Sequence, residues 1–123
     1  QTVRPGATIE SVHDTARNAL VDGLLALNTL CGNREELIAE ESYKPFFPHQ
    51  TSHWLGIDVH DVGDANVPFA PGTVLTVEPG IYIPDEGFGV RLEDDIVVTE
   101  DGPINLMAKI PIEADEIESI MNR

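Results

Sequence analysis

The chain has 123 residues, of which 22 are acidic and 7 basic, giving a formal charge of −15. That surface repels phosphate backbones and anionic lipid, so nucleic acid and membrane are not expected partners. The length fits one domain able to bury about two-thirds of the surface its unfolded form exposes. There is no apolar run of the roughly 18 residues a membrane span needs, and no charged-then-apolar leader. The single cysteine, Cys31, cannot close an internal disulfide; it is read as a small apolar residue in a reducing, cytoplasmic setting. The chain opens on Gln1 with a helical pattern starting almost at once, so a trimmed piece of a longer chain is expected.

Arg4-Pro5-Gly6 reads as a turn and Thr8 as a helix cap. Ile9, Val12, Ala16, Ala19, Leu20, Leu24 and Leu27 then recur at helical spacing, predicting one helix to about Leu30 and a stop at Gly32. Asn33 with Glu36 forms a capping-box pattern for a short helix from Arg34 to about Glu41. Pro45 and Pro48 then impose extended chain. A run dense in histidine, glycine and aspartate follows over residues 49–63. Thr73 to Ile83 is β-rich but broken by Pro79-Gly80; Pro84-Asp85-Glu86-Gly87 is a turn; Gly89 to Thr99 is a second strand. The pair predicts an antiparallel hairpin, and Glu113 to Met121 a short closing helix. The class is mixed α and β, with no internal repeat and no linker.

Three of the four histidines, His49, His53 and His60, lie within twelve residues. His13 falls on the polar side of the first helix and is read as surface. Side chains alternate along a strand, so Glu78 shares a face with Val74 and Thr76, while Arg91, Glu93 and Asp95 share one on the second strand. Two readings stay open for Glu78 and Glu93. They are polar residues on a wet hairpin face, or they are carboxylates in a buried hairpin that need a cation or several donors. Arg91 can supply one such partner. An imidazole with carboxylates and no thiolate is a hard ligand set, which favours manganese, then cobalt, iron or zinc, over a cysteine-type zinc site.

His49-x-x-Ser52-His53-Trp54-Leu55-Gly56-Ile57-Asp58-Val59-His60-Asp61-Val62-Gly63, then Val77-Glu78-Pro79-Gly80-Ile81-Tyr82, then Gly89-Val90-Arg91-Leu92-Glu93-Asp94-Asp95 resemble the C-terminal part of the pita-bread metallopeptidases. That family includes aminopeptidase P, prolidase and methionine aminopeptidase, and the wording Ser-His-Trp-Leu-Gly is most similar to aminopeptidase P. The resemblance covers nearly the whole chain. It implies that 1–123 are the C-terminal portion of an α+β catalytic domain, a long helix packed on a curved antiparallel sheet. It further implies hydrolysis of the bond between an N-terminal residue and a following proline, by water activated at a pair of manganese ions. By position, His53, Glu78 and Glu93 match metal ligands, with Glu78 also a proton carrier and Glu93 the bridging carboxylate. His49 and His60 match catalytic histidines that orient substrate, Arg91 an arginine steadying a ligand carboxylate, and Trp54 a wall of the substrate site. The partner implied is a peptide with proline at its second position.

The family also needs two aspartate ligands from a preceding part of the domain. No aspartate here sits in such a motif: Asp94 and Asp95 follow the bridging glutamate, and Asp58 and Asp61 flank His60 as structural residues. The chain alone is therefore expected to be inactive. With the other half of the domain absent, its exposed sheet face is expected to give modest stability or a homo-oligomer. Two alternatives are prolidase, which cleaves dipeptides only, and a non-catalytic module of the same fold.

Overall fold

The computed structural model describes residues 2–122. Helix α1 spans Ile9–Ala26, opened by a reciprocal cap in which Thr8 Oγ1 accepts from Ser11 N–H and Ser11 Oγ accepts from Thr8 N–H. It stops four residues short of the predicted Leu30. Asn28 takes a left-handed φ of 55°, and the N–H groups of Thr29 and Leu30 fold back onto Leu24 O. The terminator is thus Asn28, a residue that tolerates this conformation, and not Gly32. Helix α2, Arg34–Ala39, starts at Asn33, whose side chain accepts from Glu35 and Glu36 N–H. Its Arg34 makes an exposed ion pair with Asp22 of α1.

The strands are β1 Val74–Val77, β2 Gly80–Ile83, β3 Phe88–Arg91, β4 Asp94–Thr99 and β5 Gly102–Asn105; helix α3, Ala114–Met121, follows. The predicted hairpin forms, with its turn at Pro84–Glu86 closed by Gly87 at φ 70°. It is split into two segments, β1 with β4 and β2 with β3. Both segments keep one register, Val77 opposite Asp94 and Gly80 opposite Arg91, so Glu78 stands opposite Glu93 at the interruption. Pro79 has no N–H to give the ladder; its carbonyl still accepts from Leu92 N–H at 3.3 Å.

Strand β5 adds to β4 beyond the sequence reading. Glu100-Asp101 makes its tight turn, followed by Gly102 at φ 123°, and Pro103 is tolerated because β5 is an edge strand. The other edge of β1 is covered by residues 51–55, which pair through Leu55 N–H to Val74 O, Thr76 N–H to His53 O and Glu78 N–H to Thr51 O. Upstream of that stretch, Phe46 O accepts from Tyr82 N–H of β2. Residues 51–55 of the histidine-rich segment are therefore held extended alongside β1, and residues 56–63 loop away.

Alternation sorts the sheet into two faces. Leu75, Ile96 and Val98 pack with Val3, Ile9, Val12 and Phe69 in the main core, joined by Trp54 and Val77. Val21, Tyr43 and Phe47 form a second cluster between α1 and the residues after α2. The opposite face carries Thr76, Glu78, Glu93 and Asp95.

Of the two readings left open for the hairpin carboxylates, each holds for one residue. Glu78 is buried, but Glu93, Arg91, Val90, Leu92 and Phe88 are exposed. Cys31 is likewise exposed in the turn between α1 and α2 instead of acting as an apolar filler. Apolar side chains also stand exposed on β5 and α3, among them Ile104, Ile117 and Met121. Among the described residues no helix is long and apolar enough to cross a membrane.

Candidate metal centre

Because residues 51–55, β1 and β4 lie side by side, their polar residues meet on one face. His53 is opposite Thr76 on one edge of β1, and Glu78 is opposite Glu93 on the other. One ligand atom from each of His53, Glu78 and Glu93 falls within 4.8 Å of the others. The placement of each has a local cause: His53 is held by the pairing of residues 51–55 with β1, and Glu78 follows β1 at the Pro79 break. Glu93 occupies the matching break before β4.

The tautomer of His53 follows from its neighbour. Its Nδ1 lies 2.9 Å from Trp54 O, and a carbonyl only accepts, so Nδ1 carries the proton. In the neutral ring Nε2 is then a bare lone pair, and it faces Glu78 Oε1 at 3.2 Å. Two acceptors at that distance repel unless a proton or a cation lies between them. The carboxylates tell the same story, since like charges directly across a ladder are destabilising. Arg91 partly answers this, with one guanidinium nitrogen 3.7 Å from Glu78 and the other 3.7 Å from Glu93. Those distances are longer than direct hydrogen bonds and Arg91 is half exposed, so it leaves room for a tighter cation. The donor set, one imidazole and two carboxylates, fits a hard divalent metal.

Thr76 links two of the three residues. His53 N–H donates to Thr76 Oγ1 at 3.1 Å, and the Thr76 hydroxyl donates to Glu78 Oε1 at 3.1 Å. His60 lies on the loop over residues 56–63, its ring tilted against that of His53 with centroids 4.2 Å apart. Asp61 shapes this loop by accepting from Ile57 and Val62 N–H, and its own N–H donates to Trp54 O. Gly63 is required there, because a Cβ would fall 2.2 Å from the Trp54 indole.

His49 is held apart from the acidic pair. Its Nδ1 donates to Gln50 O and its Nε2 accepts from the Tyr82 hydroxyl, both at 2.8 Å. Trp54 is turned to the core side, edge-on to Phe69, and borders a cleft of about 650 Å³ that reaches His53, His13 and Arg17 but not Glu78 or Glu93. Of the acidic pair Glu78 is buried and only Glu93 is exposed to solvent.

His13 is not a surface residue. It stacks on Phe47, its Nδ1 meets Thr51 Oγ1 at 3.1 Å, and burial with the nearby Arg17 pushes its pKa below the usual histidine value. It faces the end of the 51–55 strand, which the helical wheel alone does not reveal. Thr76 and Tyr82 were also missed as site neighbours. The available signal was alternation, since Thr76 precedes Glu78 by two residues and Tyr82 follows it by four, all on one face.

The family model for metallopeptidase family M24 matches residues 1–100. The Xaa-Pro aminopeptidase of Escherichia coli is 48% identical over 96% of this chain and 30% of its own length. Among solved structures, a zinc-substituted E. coli aminopeptidase P in complex with product matches with a TM-score of 0.85. It is 46% identical over 97% of this chain and 30% of that one. Pseudomonas aeruginosa aminopeptidase PepP matches with a TM-score of 0.89 and 43% identity, over 98% of this chain and 30% of its own. The fold is thus the α+β fold of aminopeptidase P, and the chain spans under a third of the length of these relatives.

Proposed function

The chain belongs to metallopeptidase family M24, and from that premise we propose that residues 1–123 are the C-terminal portion of the catalytic domain of a metal-dependent Xaa-Pro aminopeptidase. The observation that carries this reading is the convergence of His53, Glu78 and Glu93 on one sheet face, with Glu78 and Glu93 directly opposed. In this reading His53, Glu78 and Glu93 would hold the metal, with Glu93 taken as the carboxylate shared between two ions. The hard donor set supports manganese ahead of cobalt, iron or zinc. When bound, the metals supply Lewis acidity and a water of lowered pKa for attack on the peptide carbonyl.

The protein groups then have separate tasks. Glu78 Oε1 is held by Thr76, leaving Oε2 as the oxygen that takes and returns a proton. Arg91 steadies both carboxylates from 3.7 Å. His60, against His53, and His49, braced by Tyr82, orient the substrate carbonyl and a proline at the second position. Trp54 walls the cleft beside His53. A cytoplasmic setting is supported by the single, exposed, unpaired Cys31. Exposed apolar side chains on β3, β5 and α3 support self-association of the isolated chain.

The chain by itself holds too few ligands for a metal pair, so it is proposed to be inactive alone. The test replaces the corresponding third of the E. coli Xaa-Pro aminopeptidase with this chain. The chimera should hydrolyse an Xaa-Pro-Xaa peptide, and Glu93→Ala should abolish that turnover. A folded, metal-loaded chimera that cleaves only dipeptides, or nothing, overturns the proposal, as does turnover by the isolated chain.

A further inference from the structure

Thr76 is the buried group that the family reading leaves without a task. It is 1% exposed, yet its side chain does not serve the core. The cluster on the other face of β1 is made by Leu75 and Val77, its neighbours in sequence. Its hydroxyl has a single proton, and the partners decide where that proton goes. His53 N–H can only donate, so it occupies an acceptor lone pair of Oγ1 at 3.1 Å. The hydroxyl proton is then directed to Glu78 Oε1, also at 3.1 Å. The β-branched side chain restricts χ1, so the oxygen has little freedom to leave this position.

One hydroxyl therefore ties the backbone of one candidate ligand to the carboxylate of another, across two different strands. The main-chain bond from Thr76 N–H to His53 O closes the same pair from the other side. Glu78 receives no comparable support from Arg91, whose nearest nitrogen is 3.7 Å from Oε2. We infer that Thr76 is a positioning residue that fixes Glu78 Oε1 against His53 Nε2, so that the two present a preformed pair of donors to a divalent cation. This rests on the metal reading of the site given above. Hydrogen bonds that orient metal ligands typically contribute about 10- to 100-fold to affinity.

The test uses Thr76→Val, which keeps the shape and loses the hydroxyl, and Thr76→Ser, which keeps the hydroxyl. Manganese(II) is titrated into each by calorimetry, and amide exchange at His53 is followed by NMR without metal. Thr76→Val should weaken manganese binding at least about tenfold and deprotect the His53 amide, while Thr76→Ser stays within about threefold of wild type with that amide protected. Equal affinity in wild type and Thr76→Val overturns the inference, and so does a Thr76→Ser that falls as far as Thr76→Val. Should Thr76→Val not fold, Thr76→Ser still decides: a loss of more than about threefold in manganese affinity, or loss of His53 amide protection, overturns the inference. Failure of the metal reading looks different: wild type gives no binding heat. The His53 amide then settles the clamp alone, and an amide unprotected in wild type, or unchanged in Thr76→Val, overturns it.

Discussion

Arg91 stands in for a cation between two opposed carboxylates, and its removal should be felt most when no metal is present. Each nitrogen lies 3.7 Å from its carboxylate. At that separation a unit-charge pair is worth about 1 kcal/mol in a water-like dielectric and about 4 at an effective value of 20. Arg91 and Glu93 are both more than a third exposed, so the lower value governs and each attraction contributes up to about 1 kcal/mol. Arg91→Met should then cost about 1–2 kcal/mol in urea denaturation with EDTA, or about 4–8 °C in Tm for a chain of this length. Glu93→Gln provides the contrast. It removes one attraction at 3.7 Å together with one repulsion within 4.8 Å, which nearly cancel, so its metal-free stability should stay within about 0.5 kcal/mol of wild type. Manganese should stabilise Arg91→Met and narrow its deficit, and should leave Glu93→Gln unmoved. The reasoning is refuted if Arg91→Met is as stable as wild type in EDTA, or if Glu93→Gln is destabilised to the same degree.

Three other changes probe the surroundings of the site. Gly63→Ala puts a methyl group into the Trp54 ring and should cost about 1–3 kcal/mol, shifting the loop that carries His60; a change in the emission of the single tryptophan reads the shift, and an unaltered spectrum with unchanged stability contradicts it. His13 has a folded-state pKa below its unfolded value, so the unfolded chain binds more protons on acidification, and stability should be full above about 6.5 and fall as pH drops below it. Thermal melts of wild type and His13→Asn between pH 7.5 and 5 should diverge in slope on the acid side; parallel curves argue against a buried His13. Tyr82→Phe removes the donor to His49 Nε2 and should cost about 1 kcal/mol while sparing the bond from Nδ1 to Gln50, seen in the imidazole nitrogen shifts; no change at Nε2 would mean that the bond does not exist in solution.

How far the sequence reaches depends on how local each feature is. The Thr8 cap, the Pro84–Gly87 turn and the closing helix are encoded within a few residues and form where they are read; Asn33 caps its helix too, but without the reciprocal Glu36 bond that a capping box needs. Alternation puts Glu78 and Glu93 among the candidate carboxylates, but His53 stands out from His49 and His60 only through the resemblance of its motif to the family's. What the sequence did not show is pairing at a distance. That the histidine-rich stretch would lie along β1 depends on backbone hydrogen bonds between residues some twenty-three apart, to which no side-chain pattern points. The end of α1 was misplaced because apolar spacing continues through Leu27 and Leu30, while the backbone turns at Asn28. His13 was misread because its partners, Phe47 and Thr51, lie on that same distant segment. The exposure of Glu93 depends on what covers the outer hairpin, and that is a matter of the surroundings, not of the strand itself.

The central claim is that His53, Glu78 and Glu93 form a cation site held by the sheet. The most direct test titrates manganese(II) by calorimetry into the chain and into Glu93→Ala. One weak site in the wild type that is lost in Glu93→Ala is the result the geometry predicts. No binding in either protein, or binding that survives Glu93→Ala unchanged, would contradict it.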